Sequence, residues 1–427
     1  LFVLVLTLIP ARLVFVGLPI SLTPANVVSV GLLLFWFCVQ LTRSLGAAKG
    51  RNALRTALFL YLVTVLVTFG YATASYLPPD ELKLADHNLI DIMGLAGVAL
   101  AVCDGIRSRD RLDFLLKFVV FATAIVALIG ALQFLVKVDL TKYLVLPGLR
   151  FSSEAGLAGS RNNLLRAAST TGHPIEFGVL CVMILPLALH YGLCSRGWSA
   201  RGWWMCSVII AAGLMFSVSR SAVVTIAAVG IVLLIGWSWR RRALALLVGI
   251  AFLGVMKVVS PGLLGTFYGL FAYASSDSSI DYRTHRYPLI VAEISKHVWL
   301  GRGMGLWYFP KFYALDNQYL MTTLESGVVG LLAFCGLLVT GVYAGLRARL
   351  LTAEEDQRDL ALALVASLMG PAVGAATYDL LTYKTVTGLM FLLLGATGAL
   401  LRIVLTQTTC GPPAFQATSI SRPRVSP

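Results

Sequence analysis

The sequence predicts an all-α, polytopic transmembrane helix bundle of about twelve spans. Three observations carry this reading. Only 13% of the 427 residues are charged, against about 25% in soluble domains. Mean hydropathy is +0.83, and the apolar residues form runs long enough to cross a bilayer, where only helices or closed barrels satisfy the backbone. The net charge of +14 sits mostly in alternate short loops. The positive-inside rule accounts for that charge, so nucleic acid is not expected as a partner.

The expected spans follow from run length and breakers. They are Leu1–Ile20, Ala25–Leu41, Thr56–Ala74, Leu89–Cys103, Phe114–Val136, Pro174–Leu193, Trp203–Val218, Ala222–Trp237, Ala243–Val259, Tyr319–Leu346, Leu360–Thr377 and Val386–Ile403. The first run reads as a span rather than a cleavable signal peptide. The chain opens inside it, which leaves room for a natural start upstream. Ser219-Arg220-Ser221 divides the seventh run from the eighth, because their joint length greatly exceeds one crossing. Arginines in alternate loops (Arg43, Arg51 and Arg55; Arg107, Arg109 and Arg111; Arg196 and Arg201; Arg240, Arg241 and Arg242; Arg347, Arg349 and Arg358) place those loops, and both termini, in the cytoplasm.

Residues 1–409 thus read as one integral membrane domain, and 410–427, rich in Pro and Ser, as a disordered cytoplasmic tail. Two longer segments, about 137–173 and 260–318, fall on the extracytoplasmic side, where function tends to reside. In the second, Leu289, Ile290, Ile294 and Val298 recur at helical spacing and predict a short amphipathic helix. The seven cysteines show no C-x-x-C spacing and read as small buried hydrophobes. The five histidines show no close ligand spacing, so neither a metal nor a cofactor is expected. Arg12, Asp91 and Lys257, in or beside spans, pair within the bundle or snorkel.

Three polar fragments fall on the extracytoplasmic side. In Arg166-Ala-Ala-Ser-Thr-Thr-Gly-His173-Pro174-Ile-Glu176, Pro174 suits a first helical position and places His173 at the cap. Such a helix start favours an anion, and Glu176 either binds substrate or merely complements the dipole. Arg220, between Ser219 and Ser221, is either a snorkelling helix end or a phosphate-binding fork with serine hydroxyls beside it. Asp316-Asn317 opens the tenth span; Asp316 is either a cap or a general base. Glu325 lies deeper, where an ionisable group is costly. Gly301-Arg-Gly-Met-Gly305 looks like a nucleotide loop, but follows no strand of a parallel sheet and is discounted.

The order of these motifs resembles the O-antigen ligase and O-antigen polymerase family of bacterial envelope proteins. The likeness runs from Arg166 to Gly330. It comprises the Arg-containing loop with His-Pro-x-x-Phe-Gly, Ser-Arg-Ser, Arg283 four residues before Tyr287, an amphipathic helix ending in x-Gly-x-Gly, and Asp-Asn-x-Tyr-Leu with Glu-x-Gly after it. The resemblance implies a metal-independent, inverting glycosyltransferase of the inner membrane, its site facing the periplasm. The donor would be a glycan on undecaprenyl diphosphate, and the acceptor a glycan or lipid-linked hydroxyl. Membrane lipids surround it, and a chain-length regulator is a candidate partner. Arg220 and Arg283 match the family's diphosphate-contacting arginines, and Asp316 falls where ligases often carry His, which favours polymerase over transfer to lipid A core. Asp316, Arg220 and Arg283 are the expected catalytic residues; Arg166, His173, Glu176, Ser219, Ser221, Arg286, Asn317 and Glu325 are expected to bind substrate. The alternatives are a lipid flippase or transporter and a non-catalytic scaffold.

Overall fold

A computed structural model describes residues 1–17, 21–42, 52–74, 76–152, 160–161, 164–260, 262–272, 286–308 and 311–410. Fourteen helices dominate it: α1 Phe2–Leu8, α2 Pro24–Leu41, α3 Ala53–Thr73, α4 Pro79–Gly105, α5 Arg109–Val136, α6 Pro174–Cys194, α7 Gly197–Phe216, α8 Arg220–Gly236, α9 Trp239–Val259, α10 Leu263–Ala272, α11 Tyr287–Ile294, α12 Gln318–Leu351, α13 Glu355–Gly374 and α14 Lys384–Cys410. Among the described residues nine are long and apolar enough to cross a membrane. The shorter α8 and the more polar α13 pack against each other inside the same bundle. The protein is an all-α polytopic bundle.

The core is built around α14. It packs on α4, α12 and α13 and touches α1, α3, α5 and α6. Small residues allow the approach: a Cβ on Gly395 would lie 2.5 Å from the Ala99 carbonyl oxygen, and one on Gly398 would lie 2.8 Å from Cys103 Sγ. Without a hydrophobic force between helices in lipid, such close backbone contact is what holds spans together. At the other extreme, α9 buries only Met256 and exposes Leu246, Leu247, Ile250 and Val258. A face so apolar fits hydrocarbon rather than water.

Charge separates along the bundle axis. At one end Arg55 pairs with Asp104 at 3.5 Å, Arg241 with Asp359 at 2.7 Å, and Arg349 donates to the Gly236 carbonyl at 2.7 Å. These bonds tie α3 to α4, α9 to α13 and α12 to α8. The starts of α2, α4, α6, α8, α12 and α14 lie at the opposite end, here called the site end.

Two expected spans need correction. The first run does not form a spanning helix. Helix α1 has 7 residues, roughly 10 Å at 1.5 Å per residue. Beyond it Leu13–Phe15 pairs antiparallel with Leu149–Phe151. Arg12, on this extended stretch, donates to Thr141 at 2.7 Å and pairs with Asp139 at 3.4 Å. Pro10 has no backbone donor, so the helix stops short and the following polar groups find partners in the loop before α6. The fourth span begins ten residues early, at Pro79. Pro79 suits a first-turn position, and Asp80 and Glu81 complement the helix dipole. Its charged first turns are held by partners: Lys311 reaches Glu81, and Lys384 reaches Asp91.

The expected amphipathic helix is α11. It buries Ile290 against Leu315 and Met321 and leaves Leu289 and Val291 exposed. After it, residues 298–305 dock into a break in α12. Gly327 has φ 67° and ψ −172°, so the helix cannot make its own bonds there. The loop replaces them. Arg302 N–H donates to Leu324 O at 2.9 Å and Gly303 N–H to Glu325 O at 2.9 Å, while Val328 N–H donates to Val298 O at 2.8 Å. The Gly301–Gly305 run is therefore a backbone dock. A Cβ on Gly327 would lie 2.1 Å from Trp299 O, and one on Gly301 would lie 2.3 Å from the Glu325 carbonyl carbon. Left-handed backbone alone costs a side chain about 1–2 kcal/mol. Gly327→Ala and Gly301→Ala are each expected to lower thermal stability in detergent by several degrees. Gly336→Ala, where a Cβ meets nothing within 4 Å, leaves melting unchanged in the same assay.

Candidate functional site

The loop before α6 is fixed by its own side chains. Ala167 N–H donates to Phe216 O at 3.1 Å, tying the loop to the end of α7. Ser169 Oγ donates to Val126 O at 2.6 Å, and its N–H to Gln133 Oε1 at 2.7 Å. Thr170 Oγ1 donates to Thr7 O at 2.6 Å. Arg166 and His173 are thus held at the ends of an anchored segment. His173 caps α6, its Nδ1 accepting from Ile175 N–H at 3.1 Å. In this tautomer the proton sits on Nε2, and the ring stacks on Tyr383 with centroids 5.8 Å apart. Burial and the Arg166 charge push the imidazole down to about 4, while Asp316 pulls the other way. His173 is therefore a neutral hydrogen-bond donor at neutral pH.

Glu176 is fully buried and joins two helix starts. Its Oε2 accepts from Gly172 N–H at 2.7 Å, and its Oε1 from Thr385 N–H at 2.7 Å and Val386 N–H at 3.4 Å. One carboxylate caps the approach to α6 and the first turn of α14, where helix dipoles favour negative charge. The dipole reading of Glu176 is the one its contacts match, on two helices rather than one.

Arg220 is the first residue of α8, with Ser219 Oγ capping Ala222 N–H at 3.4 Å. The α8 start lies against α6: a Cβ on Gly178 would sit 2.5 Å from Ser217 Oγ and 2.8 Å from Ala222 Cβ. Arg220 thus opens a helix whose first turn packs on the first turns of α6. Ser221 is buried, and its carbonyl accepts from Thr225 Oγ1 at 2.6 Å.

At the α12 start the cap is Asn317, not Asp316. Asn317 Oδ1 accepts from Tyr319 N–H at 3.0 Å and Leu320 N–H at 3.2 Å. That leaves the Asp316 carboxylate outside the helix-capping role. The buried Gln318 fixes this start against the α13–α14 turn: its N–H donates to Ala375 O at 2.7 Å, and its Oε1 accepts from Leu381 N–H at 2.7 Å. Asp316 consequently faces a group that the sequence reading did not weigh. Asp379 lies on that turn, hydrogen-bonded by Thr382. Burial and the Asp316 charge push it up to about 6. Tyr383 is raised above the ordinary phenol range by burial and by the Glu176, Asp316 and Asp379 charges. The signal was visible in Tyr378-Asp379-Leu-Leu-Thr-Tyr383, a polar run between two apolar ones, but only the fold sets it beside Asp316.

Two further expected residues lie on the approach. Arg286 precedes α11, its guanidinium 4.1 Å from the Tyr313 ring centroid, three residues before Asp316. Glu325 Oε1 accepts from Gly305 N–H at 2.9 Å and so clamps the docked glycine loop. Arg283 and the side chain of Arg161 lie outside the described residues.

The structure therefore brings Arg166 and His173 together with Asp316, Asp379 and Tyr383, while Arg220 opens α8 at the same end. Four helix starts set the positive ends of their dipoles at this end, a field suited to an anion. Residues 205–335 match the O-antigen ligase family model. That stretch, under half of the chain, is similar to the O-antigen ligase family; it runs from within α7 through Ser219-Arg220-Ser221 to the first half of α12. No curated protein matches the chain.

Two outcomes test this geometry. Asn317→Ala is expected to cost about 1 kcal/mol of stability, read as a lower melting temperature. The Asp379 carboxyl is raised in the folded state, so folding is disfavoured once it ionises. Asp379→Asn is expected to melt above the wild type at pH 7. The gap should narrow as the pH falls below about 6 and vanish only below about pH 3, where the carboxyl is protonated in both the folded and the unfolded chain.

Proposed function

We propose that the chain is a glycosyltransferase of the bacterial inner membrane that moves a glycan from undecaprenyl diphosphate to a sugar hydroxyl. The reading rests on one observation beyond the family match. The starts of α6, α12 and α14 are tied together at one end of the bundle by Glu176 and Gln318, where His173 feels both the Arg166 and the Asp316 charge; α8 packs on α6 at that end with Arg220 as its first residue. The positive-inside rule puts the arginine-rich end in the cytoplasm and this end in the periplasm.

The chemistry follows from those residues. The donor diphosphate lies against the Arg220 and Arg166 guanidiniums, whose planar donors pair with its oxygens. His173 Nε2–H and the α8 backbone N–H groups add neutral donors. Arg283 joins this set by its motif. The acceptor hydroxyl attacks the anomeric carbon from the side opposite the diphosphate, and its proton passes to Asp316. The new C–O bond forms as the glycosyl–phosphate C–O bond breaks. The electron pair leaves with the diphosphate, which gains one negative charge. Arginines in a water-poor cavity stabilise that developing charge strongly. One displacement inverts the centre and uses one base, unlike a retaining pair. Asp316 stands where ligases often carry His, which favours chain extension over transfer to lipid A core. A second copy of the lipid-linked glycan is then the acceptor.

In liposomes carrying a lipid-diphosphate oligosaccharide, the wild type is expected to lengthen the glycan. Arg220→Ala and Asp316→Asn should each lower turnover about 10²–10³-fold, the size of loss seen when one charge-stabilising donor is removed. Undiminished turnover in either variant, or lipid movement without a new glycosidic bond, would sink the proposal.

A further inference from the structure

The arginine-rich end, opposite the site, carries a second cluster that glycan transfer does not use. Among the described residues it is a group of His, Cys and Asp whose ligand atoms lie within 4.8 Å of one another: His190, Cys194 and Asp359. His190 and Cys194 are one turn apart on α6, and Asp359 faces them from α13. His190 Nδ1 is 2.9 Å from Asp359 Oδ2, Cys194 Sγ is 3.6 Å from His190 Nδ1, and Cys194 Sγ is 3.9 Å from Asp359 Oδ2. Tetrahedral zinc with ordinary bond lengths sets such ligand atoms about 3.4–3.6 Å apart. The observed triangle matches to within about 0.5 Å on each edge, so small side-chain rotations would open it around an ion.

The surroundings complete the site. Asp356, one turn before Asp359 on α13, is exposed and its charge acts on the Cys194 thiol. It marks the solvent side of the cluster, from which an ion enters. His190 and Asp359 are buried. Arg241 holds Asp359 Oδ1 at 2.7 Å, which leaves Oδ2 aimed at the cluster in the manner of an outer-shell orienter. The charges also balance: a divalent cation and Arg241 together offset two carboxylates and one thiolate. Histidine spacing in the sequence predicted no metal, because the informative pairs are His190-x-x-x-Cys194 and Asp356-x-x-Asp359 on two facing helices.

We propose that His190, Cys194 and Asp359 bind a thiophilic divalent ion of the zinc class, with water in the fourth position and Asp356 as an outer carboxylate. The ion staples α6 to α13. Binding displaces the thiol proton to solvent and forms the metal–sulfur bond. The staple lies at the far end of the two helices that carry His173 and lead to Asp379, and it is independent of the reading proposed for that end.

The test is cobalt titration of the full-length detergent-solubilised protein after chelator treatment. Co²⁺ is expected to bind one per chain, with a thiolate-to-cobalt charge-transfer band and the visible bands of a tetrahedral centre, and Zn²⁺ should bleach both. Cys194→Ser should remove the charge-transfer band, and His190→Ala should abolish stoichiometric uptake. Asp356→Asn should weaken binding about 10–100-fold. Cys206→Ser, outside the cluster, keeps the wild-type spectrum. Metal should raise the melting temperature of the wild type and not of Cys194→Ser. If the stripped wild type takes up no stoichiometric cobalt, or Cys194→Ser gives the wild-type spectrum, the cluster is only a hydrogen-bonded ion pair and the proposal fails.

Discussion

The Glu176 carboxylate is the interaction on which the rest of the site end depends. A buried carboxylate is costly unless its oxygens are satisfied. Here both are, by N–H groups from the α6 approach and the α14 start. Helix α14 is also the most enclosed span of the bundle. Fixing its first turn against α6 sets the height of Tyr383 and of the Asp379 turn before it. Gln318 then registers α12 on the same turn. The relative position of His173, Asp316 and Asp379 is thus determined by backbone amides meeting two buried polar side chains, which tolerate little displacement.

A second constraint comes from the break in α12. An uninterrupted helix would leave the 298–305 loop with no backbone partners. The left-handed Gly327 frees carbonyls and N–H groups, and the loop takes them up. Non-helical backbone at this depth is tolerated because it is enclosed by protein. The dock carries α11 and the Tyr313 segment with it, so the approach to Asp316 is held by glycines rather than by side-chain chemistry.

Much of the fold was legible because bilayer crossing imposes a simple length and polarity rule. Runs such as Pro174–Leu193 and Ala243–Val259 needed only counting. The first run failed because Pro10 and the polar groups after it find partners in the distant 139–170 loop. The fourth was read short because Asp80, Glu81 and Asp86 look like loop charges in the sequence, whereas Lys311 meets Glu81 at the helix start. Positions at helix starts were legible where a local motif exposed them, as with His173-Pro174 at α6 and Ser219-Arg220-Ser221 at α8. Roles were less legible. Asp316 and Asn317 are adjacent, and only the cap geometry shows that Asn317 is the one whose side chain caps α12. Asp379 and Tyr383 became relevant only through packing between spans, which no local pattern records.

The most direct test of the central claim is a structure of the protein with an undecaprenyl-diphosphate glycan, or a non-hydrolysable analogue, bound in a lipid nanodisc. The account predicts the diphosphate in hydrogen-bonding contact with Arg220 and Arg166, its first sugar lying toward Asp316. A diphosphate seated elsewhere, with both guanidiniums turned to lipid or to other protein groups, would contradict it.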